Sequence, residues 1–381
     1  MKAFFKVAAI AAAAVTAIIA PARAELKLGA TLSETGPASF LGDPEAKSLR
    51  LLVDKLNAAG GVKGEKIKLF LYDDAGDPNK ARTNATRLVE EDNVAVIIGG
   101  TTTGTSMAVI PVAEESKVPF ISLAGAIEII DPVRPFVFKT PHTDKMACEK
   151  IFDDMKKRNL TKVALLSGTD GFGASMRKQC IAVAPTWGIT IVADETYGPK
   201  DTDMTPQLTT IRGKEGLQAV LSPGFGQGPA IVTRNYAQLG MTMPLYQSHG
   251  VAAASFIELS GAKAAEGVRL PGTALLVADL LAADDPQKKV VVEYKELFEK
   301  ATNSPVSTFG GYAHDAFGIL TNAMTRAKSL KATDLRDAIE GTSKLVGTTG
   351  TVSFSAKDHL GLDLDSFRML EIRNGGWTLV K

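Results

Sequence analysis

The sequence predicts an α/β fold of two doubly wound units, each a parallel sheet wrapped by helices. Three observations carry that expectation. Apolar runs of strand length recur at residues 27–31, 67–73, 94–99, 120–123, 163–167, 190–194, 219–222 and 244–247, with helical patterns between them. The runs are continuously apolar instead of alternating, as strands covered on both faces require. The chain beyond its first 24 residues is also longer than one core usually supports, which argues for two domains.

Residues 1–24 place Lys2 and Lys6 ahead of an apolar stretch over 7–20 and close on Ala22-Arg23-Ala24, the pattern of a secretory signal peptide cut before Glu25. That stretch is shorter than the roughly 20 residues a membrane span needs, and no Cys follows the cut to carry a lipid. The mature chain is therefore expected in the periplasm and not itself membrane-spanning. Cleavage removes Lys2, Lys6 and Arg23, so 43 basic side chains fall to 40 against 42 acidic ones. Such a balance leaves no electrostatic footprint for nucleic acid.

The helix expected over 44–59 sets Leu49, Leu52, Val53 and Leu56 on one face. It stops in Asn57-Ala-Ala-Gly60-Gly61-Val-Lys-Gly64, whose glycines suit a helix end and a turn. The pattern repeats over 78–93 with Ala81, Ala85, Leu88 and Val89 inward. Further helices are expected over 143–158, 173–186, 205–213, 228–240, 286–302, 310–329 and 333–341. The rhythm restarts near Lys139-Thr140-Pro141, as a second sheet would, and residues 350–381 hold only short β-like runs at 367–372 and 377–380.

Two strand ends invite a ligand. The run 94–99 opens into Gly99-Gly100-Thr101-Thr102-Thr103-Gly104-Thr105-Ser106 and then a helical pattern. Glycines admit close backbone approach, hydroxyls donate hydrogen bonds, and a helix N-terminus favours negative charge, so this loop reads as a carboxylate or phosphate cradle. Capping alone explains one hydroxyl of the five. The next strand ends in Ala124-Gly125-Ala126, leaving backbone groups open at the same crevice.

Catalytic signatures are absent: no His-Glu-x-x-His, no Gly-x-Ser-x-Gly and no phosphate-binding Gly-x-x-x-x-Gly-Lys loop. Gly224-Phe225-Gly226-Gln227-Gly228-Pro229 matches a dinucleotide fingerprint only in part. Asp73, Asp74 and Asp77 read as a solvated turn. His142, His249, His314 and His359 are scattered, so no metal site, catalytic residue or cofactor is expected. Cys148 and Cys180 fall in an oxidising compartment on helices flanking the run 163–167, where they either pair or stay as thiols.

In this order, Thr35-Gly36-Pro37 with Phe40-Leu41-Gly42, the 57–64 turn, Tyr72-Asp73-Asp74, Asp77-Pro78, residues 99–103, 122–126, Asp170-Gly-Phe172-Gly173 and Ala264-Ala-Glu-Gly267 are together specific. The chain resembles the periplasmic solute-binding proteins of branched-chain amino acid ABC importers, the leucine/isoleucine/valine-binding family. The resemblance implies the type I periplasmic binding protein fold: two doubly wound lobes joined by three crossover segments, with ligand in the cleft between them. It places lobe 1 at 25–140 plus 271–349 and lobe 2 at 141–270 plus 350–381. It implies a monomeric receptor that captures a ligand by cleft closure and then meets a permease and its ATPase subunits, or alternatively a periplasmic sensor for a membrane kinase.

By the same resemblance, Thr102 and Thr103 with Ala124, Gly125 and Ala126 would hold a ligand carboxylate, and Phe40, Leu41, Phe172 and Phe225 its body. Ala126 departs from the family pattern because it offers no hydroxyl. His249 stands where amino-acid binders place the acid that pairs with the α-ammonium. A His is a poor partner for an ammonium, so the expected ligand is a small carboxylate without an α-amine, an aromatic acid first. A branched-chain or other amino acid is the alternative.

Overall fold

The computed structural model describes residues 25–380, and the leader read at 1–24 lies outside them. Five strands, β1 (Leu26–Leu32), β2 (Ile67–Asp73), β3 (Val96–Gly99), β4 (Phe120–Ser122) and β5 (Val137–Lys139), form a first sheet ordered β2-β1-β3-β4-β5. Every pairing in it is parallel. A second sheet takes the parallel strands β6 (Lys162–Gly168), β7 (Thr190–Tyr197), β8 (Ala219–Ser222), β9 (Leu245–Gln247) and β10 (Arg269–Gly272). After a short pair, β11 (Leu345–Val346) and β12 (Thr351–Val352), the chain adds β13 (Arg368–Arg373) and β14 (Gly376–Leu379) antiparallel at that sheet's edge, giving the order β14-β13-β10-β9-β8-β6-β7.

The continuous apolarity of the runs is explained by their burial: Val96, Ile97 and Ile98 are wholly enclosed, as are Val163 through Leu166. One face of the first sheet packs under the helices Ser39–Ala58, Thr308–Arg326 and Ala332–Glu340, and the other under Pro78–Glu90 and Thr103–Ser116. Two further apolar clusters cover the faces of the second sheet. A fifth joins Ala274, Tyr294 and Phe298 to Leu370, with Trp377 and Leu379 against it. The chain passes between the sheets after β5, after β10 and after β12, and the last passage gives the 367–380 runs their partner, β10.

A disulfide joins Cys148 and Cys180, Cα atoms 5.1 Å apart, and ties the helix Asp144–Lys157 to the helix Gly171–Val183. The first helix starts at Ser39, five residues earlier than Pro44 suggested, because a short turn at Gly36–Ala38 leads straight into it. Asp74 is not in a solvated turn. It is wholly buried, accepting from the Thr31 and Ser33 hydroxyls at 3.1 and 2.6 Å, while Asp77 caps the helix Pro78–Glu90.

Candidate functional site

The carboxyl ends of the central strands of both sheets converge on one cleft. β3 delivers Thr101, Thr102 and Thr103, β4 delivers Leu123, Ala124 and Gly125, and the second sheet answers with Phe172, Phe225, His249 and Gly250. About 380 Å³ between them is free of protein atoms, part of it open to solvent. Its wall is dominated by apolar groups, and no lining side chain carries an acid or a permanent base.

The hydroxyls of the 101–106 loop divide by task. Thr102 caps the helix Thr103–Ser116, its Oγ1 accepting from Thr105 N while Thr105 Oγ1 accepts from Thr102 N, at 3.2 and 3.0 Å. Ser106 donates to Gly100 O at 2.6 Å, and Thr101 Oγ1 accepts from Ser33 N and donates to Glu45 at 2.6 Å. Only Thr103 Oγ1, of these five, is buried without a partner. The surplus of hydroxyls is therefore mostly internal bracing, and of the three threonines that line the cleft only Thr103 keeps an unpartnered hydroxyl.

On the opposite side, Asp170 caps the helix Gly171–Val183 by accepting from Phe172 N and Gly173 N, both at 3.0 Å, and so fixes where Phe172 stands. His249 sits in the turn after β9, which Ser248 secures by donating to Gly224 O and accepting from Gly250 N. Its ring meets Phe172 and Phe367 edge to face, with centroids 5.3 and 5.4 Å away. Neither ring nitrogen has a hydrogen-bond partner among the described residues. The His142 backbone raises its proton affinity slightly without reaching hydrogen-bond geometry. Burial, with the nearby Lys139 charge, outweighs that and pushes the imidazole down to about 3, so it is neutral.

Of the residues the sequence singled out, Leu41, Thr102, Thr103, Ala124, Gly125, Phe172, Phe225 and His249 share this cavity. Phe40 does not: successive helix residues diverge by about 100°, and with Leu41 facing in, Phe40 stacks on Phe225 at 6.3 Å and meets Phe309 edge to face at 6.0 Å. Ala126 does not either, because its side chain is packed in the first sheet's core. Sequence reasoning missed Phe309 and Tyr312, which join the wall from the first turns of the helix Thr308–Arg326. Their i, i+3 spacing is the signal that marks them as one face. Tyr312 Oη is buried without a partner, and burial holds its proton firmly. Behind Thr101, Glu45 is fully buried with Oε1 unpartnered, and burial raises its carboxyl well above the usual range.

A family model described as periplasmic binding protein matches residues 25–376. The Leu/Ile/Val-binding protein homolog 7 of Brucella abortus is 30% identical over 227 residues, a match spanning 57% of this chain and only 56% of that relative. Homolog 3 of Brucella melitensis is 25% identical over 349 residues, 91% of each chain. An extracellular ligand-binding receptor from Rhodopseudomonas palustris HaA2 superposes with a TM-score of 0.87 at 30% identity, covering 94% of this chain and all of that one. With its two parallel-dominated sheets meeting at one cleft, and a family match over nearly all the described residues, the chain belongs to the periplasmic binding protein family, a family of solute-binding receptors and not of enzymes.

Proposed function

We propose that this chain is a periplasmic receptor of an ABC importer that captures a small carboxylate lacking an α-amine, with aromatic acids the best fit. One observation carries the reading: no acidic side chain lines the cleft, and His249, which the resemblance sets at the family's amine-partner position, is a neutral imidazole. Burying an ammonium without a counter-charge is costly. The carboxylate would meet Thr103 Oγ1 and the N–H groups of Gly125 and Ala126, since that of Ala124 donates to the Ser122 hydroxyl at 3.2 Å, and the ring would lie against Phe172 and Phe225. His249 and Tyr312 remain for a hydroxyl or carbonyl on the ligand body. The receptor does no chemistry; ligand bound by both lobes favours the closed form by its differential affinity for it. Lobe boundaries at 140/141, 270/271 and 349/350, a monomeric state, and docking of the closed form on a permease with its ATPases belong to this proposal.

A second reading, capture of a branched-chain amino acid, is favoured by the names of the relatives and by Glu45, whose free Oε1 stands one side chain behind the wall. Calorimetric titration of ligand-stripped protein with benzoate, cinnamate, 4-methyl-2-oxopentanoate and L-leucine separates the two. Aromatic or oxo acids binding, with the heat lost in Thr103→Ala, supports the first reading. Leucine alone binding, and failing in Glu45→Gln, establishes the second.

A further inference from the structure

Lys139 ends β5 fully buried, yet it lines no part of the cleft and makes no ion pair among the described residues. Its Nζ donates instead to Gly125 O at 2.9 Å and to Ala126 O at 3.3 Å. A buried ammonium committed to two carbonyls of one loop dictates how that loop's peptide planes are turned. In a trans peptide the N–H points opposite to the preceding C=O. Drawing Gly125 C=O toward Lys139 therefore sends Ala126 N–H away from it. Neither Gly125 N–H nor Ala126 N–H bonds to a described residue.

The same loop is pinned from the second lobe. Asp144 N donates to Gly125 O at 2.9 Å, and the buried Asp144 carboxylate accepts from Ile127 N at 2.9 Å and from the Ser175 hydroxyl. Ser175 lies on the helix that carries Phe172.

We propose that Lys139 is a positioning residue for the carboxylate end of the ligand: its ammonium holds the 124–126 loop with N–H groups presented to the cleft, and its charge behind that loop favours an anion in front of it. This rests on the loop being the carboxylate cradle, which both readings of the ligand share. Burial lowers Lys139 to about 7, with Asp144 acting the other way. The titratable groups around it are Asp144 on the following helix, His142 in the crossover and His249 from the second lobe. On the outer edge of β5, His359 accepts the Lys139 backbone N–H at 3.2 Å and itself contacts Glu340. A bound anion raises the proton affinity of Lys139 and, reciprocally, the proton raises affinity for the anion. Below pH of about 7 the lysine is charged with or without ligand; above it, binding draws in a proton and affinity falls by up to about tenfold per pH unit.

The test is titration calorimetry of the mature protein with benzoate, 4-methyl-2-oxopentanoate and L-leucine at pH 6, 7 and 8.5, each in two buffers of different ionisation enthalpy. Wild type should take up a fraction of a proton approaching one at the highest pH. Lys139→Arg should bind with no uptake and no pH dependence, and Lys139→Met should bind at least about tenfold more weakly, also without uptake. Uptake absent in wild type, or preserved in either variant, overturns the inference, and the wild-type measurement decides alone if neither variant folds. Leucine binding with uptake keeps Lys139 in this role while overturning the no-amine reading. Benzoate binding without uptake does the reverse, and silence with all three ligands overturns both.

Discussion

At Gly125 the walls of the cleft approach so closely that a β-carbon there would lie 2.8 Å from His249 Nε2 and 2.8 Å from Phe172 Cε2. Both rings are packed and cannot swing aside cheaply. Gly125→Ala should therefore fold with nearly unchanged melting temperature but bind at least about tenfold more weakly, since the clash exists only with the cleft shut; equal affinity in calorimetry would show that the loop yields. His249 gives a prediction in pH. The unfolded chain protonates this ring near about 6.5, the folded one only near about 3, so between those values the unfolded state binds more protons and stability falls as the pH is lowered. His142 acts in the same direction. Buried Glu45, Asp74, Asp144 and Asp170, all raised by burial, act in the opposite one. The difference between wild type and His249→Gln isolates the ring: urea denaturation from pH 4 to 6 should show a slope smaller in the variant by up to about 1.4 kcal/mol per pH unit. Thr103 and Gly125 were legible because apolar runs announce where strands stop, whereas Phe172 and Phe225 came only from the family resemblance. Tyr312 was not, since it arrives from a helix far along the chain and no local pattern says which face of that helix meets the cleft.

Among the elements, the two helices tied by Cys148 and Cys180 frame the side of the second lobe that bears Phe172. The bridge closes a sequence separation of 32 residues, a loop whose cross-linking stabilises a fold by about 4 kcal/mol. Replacing both cysteines by Ala should lower the urea midpoint accordingly, and an unchanged midpoint would mean the folded state gains nothing from the bond. Long buried strands were readable from composition alone. β10 was not, because Pro271 argues against a central strand; the structure tolerates it because β10 meets β9 at Arg269 only, while Pro271 faces Met369 on β13. β5 escaped because its short apolar run, Phe136 to Phe138, is closed in by Pro135 and the charged Lys139. The early start of the helix Ser39–Ala58 was hidden by Pro44, which reads as a first-turn residue and in fact lies in the second turn, where only one backbone bond is lost.

For the whole molecule, closure of the cleft is the motion that the proposed function requires. The two sides already touch around the cleft, with Phe40 stacked on Phe225 and an ion pair between Lys178 and Glu128 at 2.9 Å. That pair is exposed and screened, so it guides the rims more than it holds them. Small-angle scattering of stripped protein should give a larger radius of gyration than the same sample saturated with a binding acid. Identical curves would place recognition in a preformed cavity with no hinge.

The position of β13 and β14 also bears on how the protein is made. The second sheet begins at Lys162, but its antiparallel edge comes from residues 368–379, after the helices that cover the first sheet have been synthesised. A chain arrested anywhere before that point leaves β10 as an open edge, a template for strand pairing with other molecules. Until the last strands dock, the second sheet therefore ends in an uncovered edge at β10.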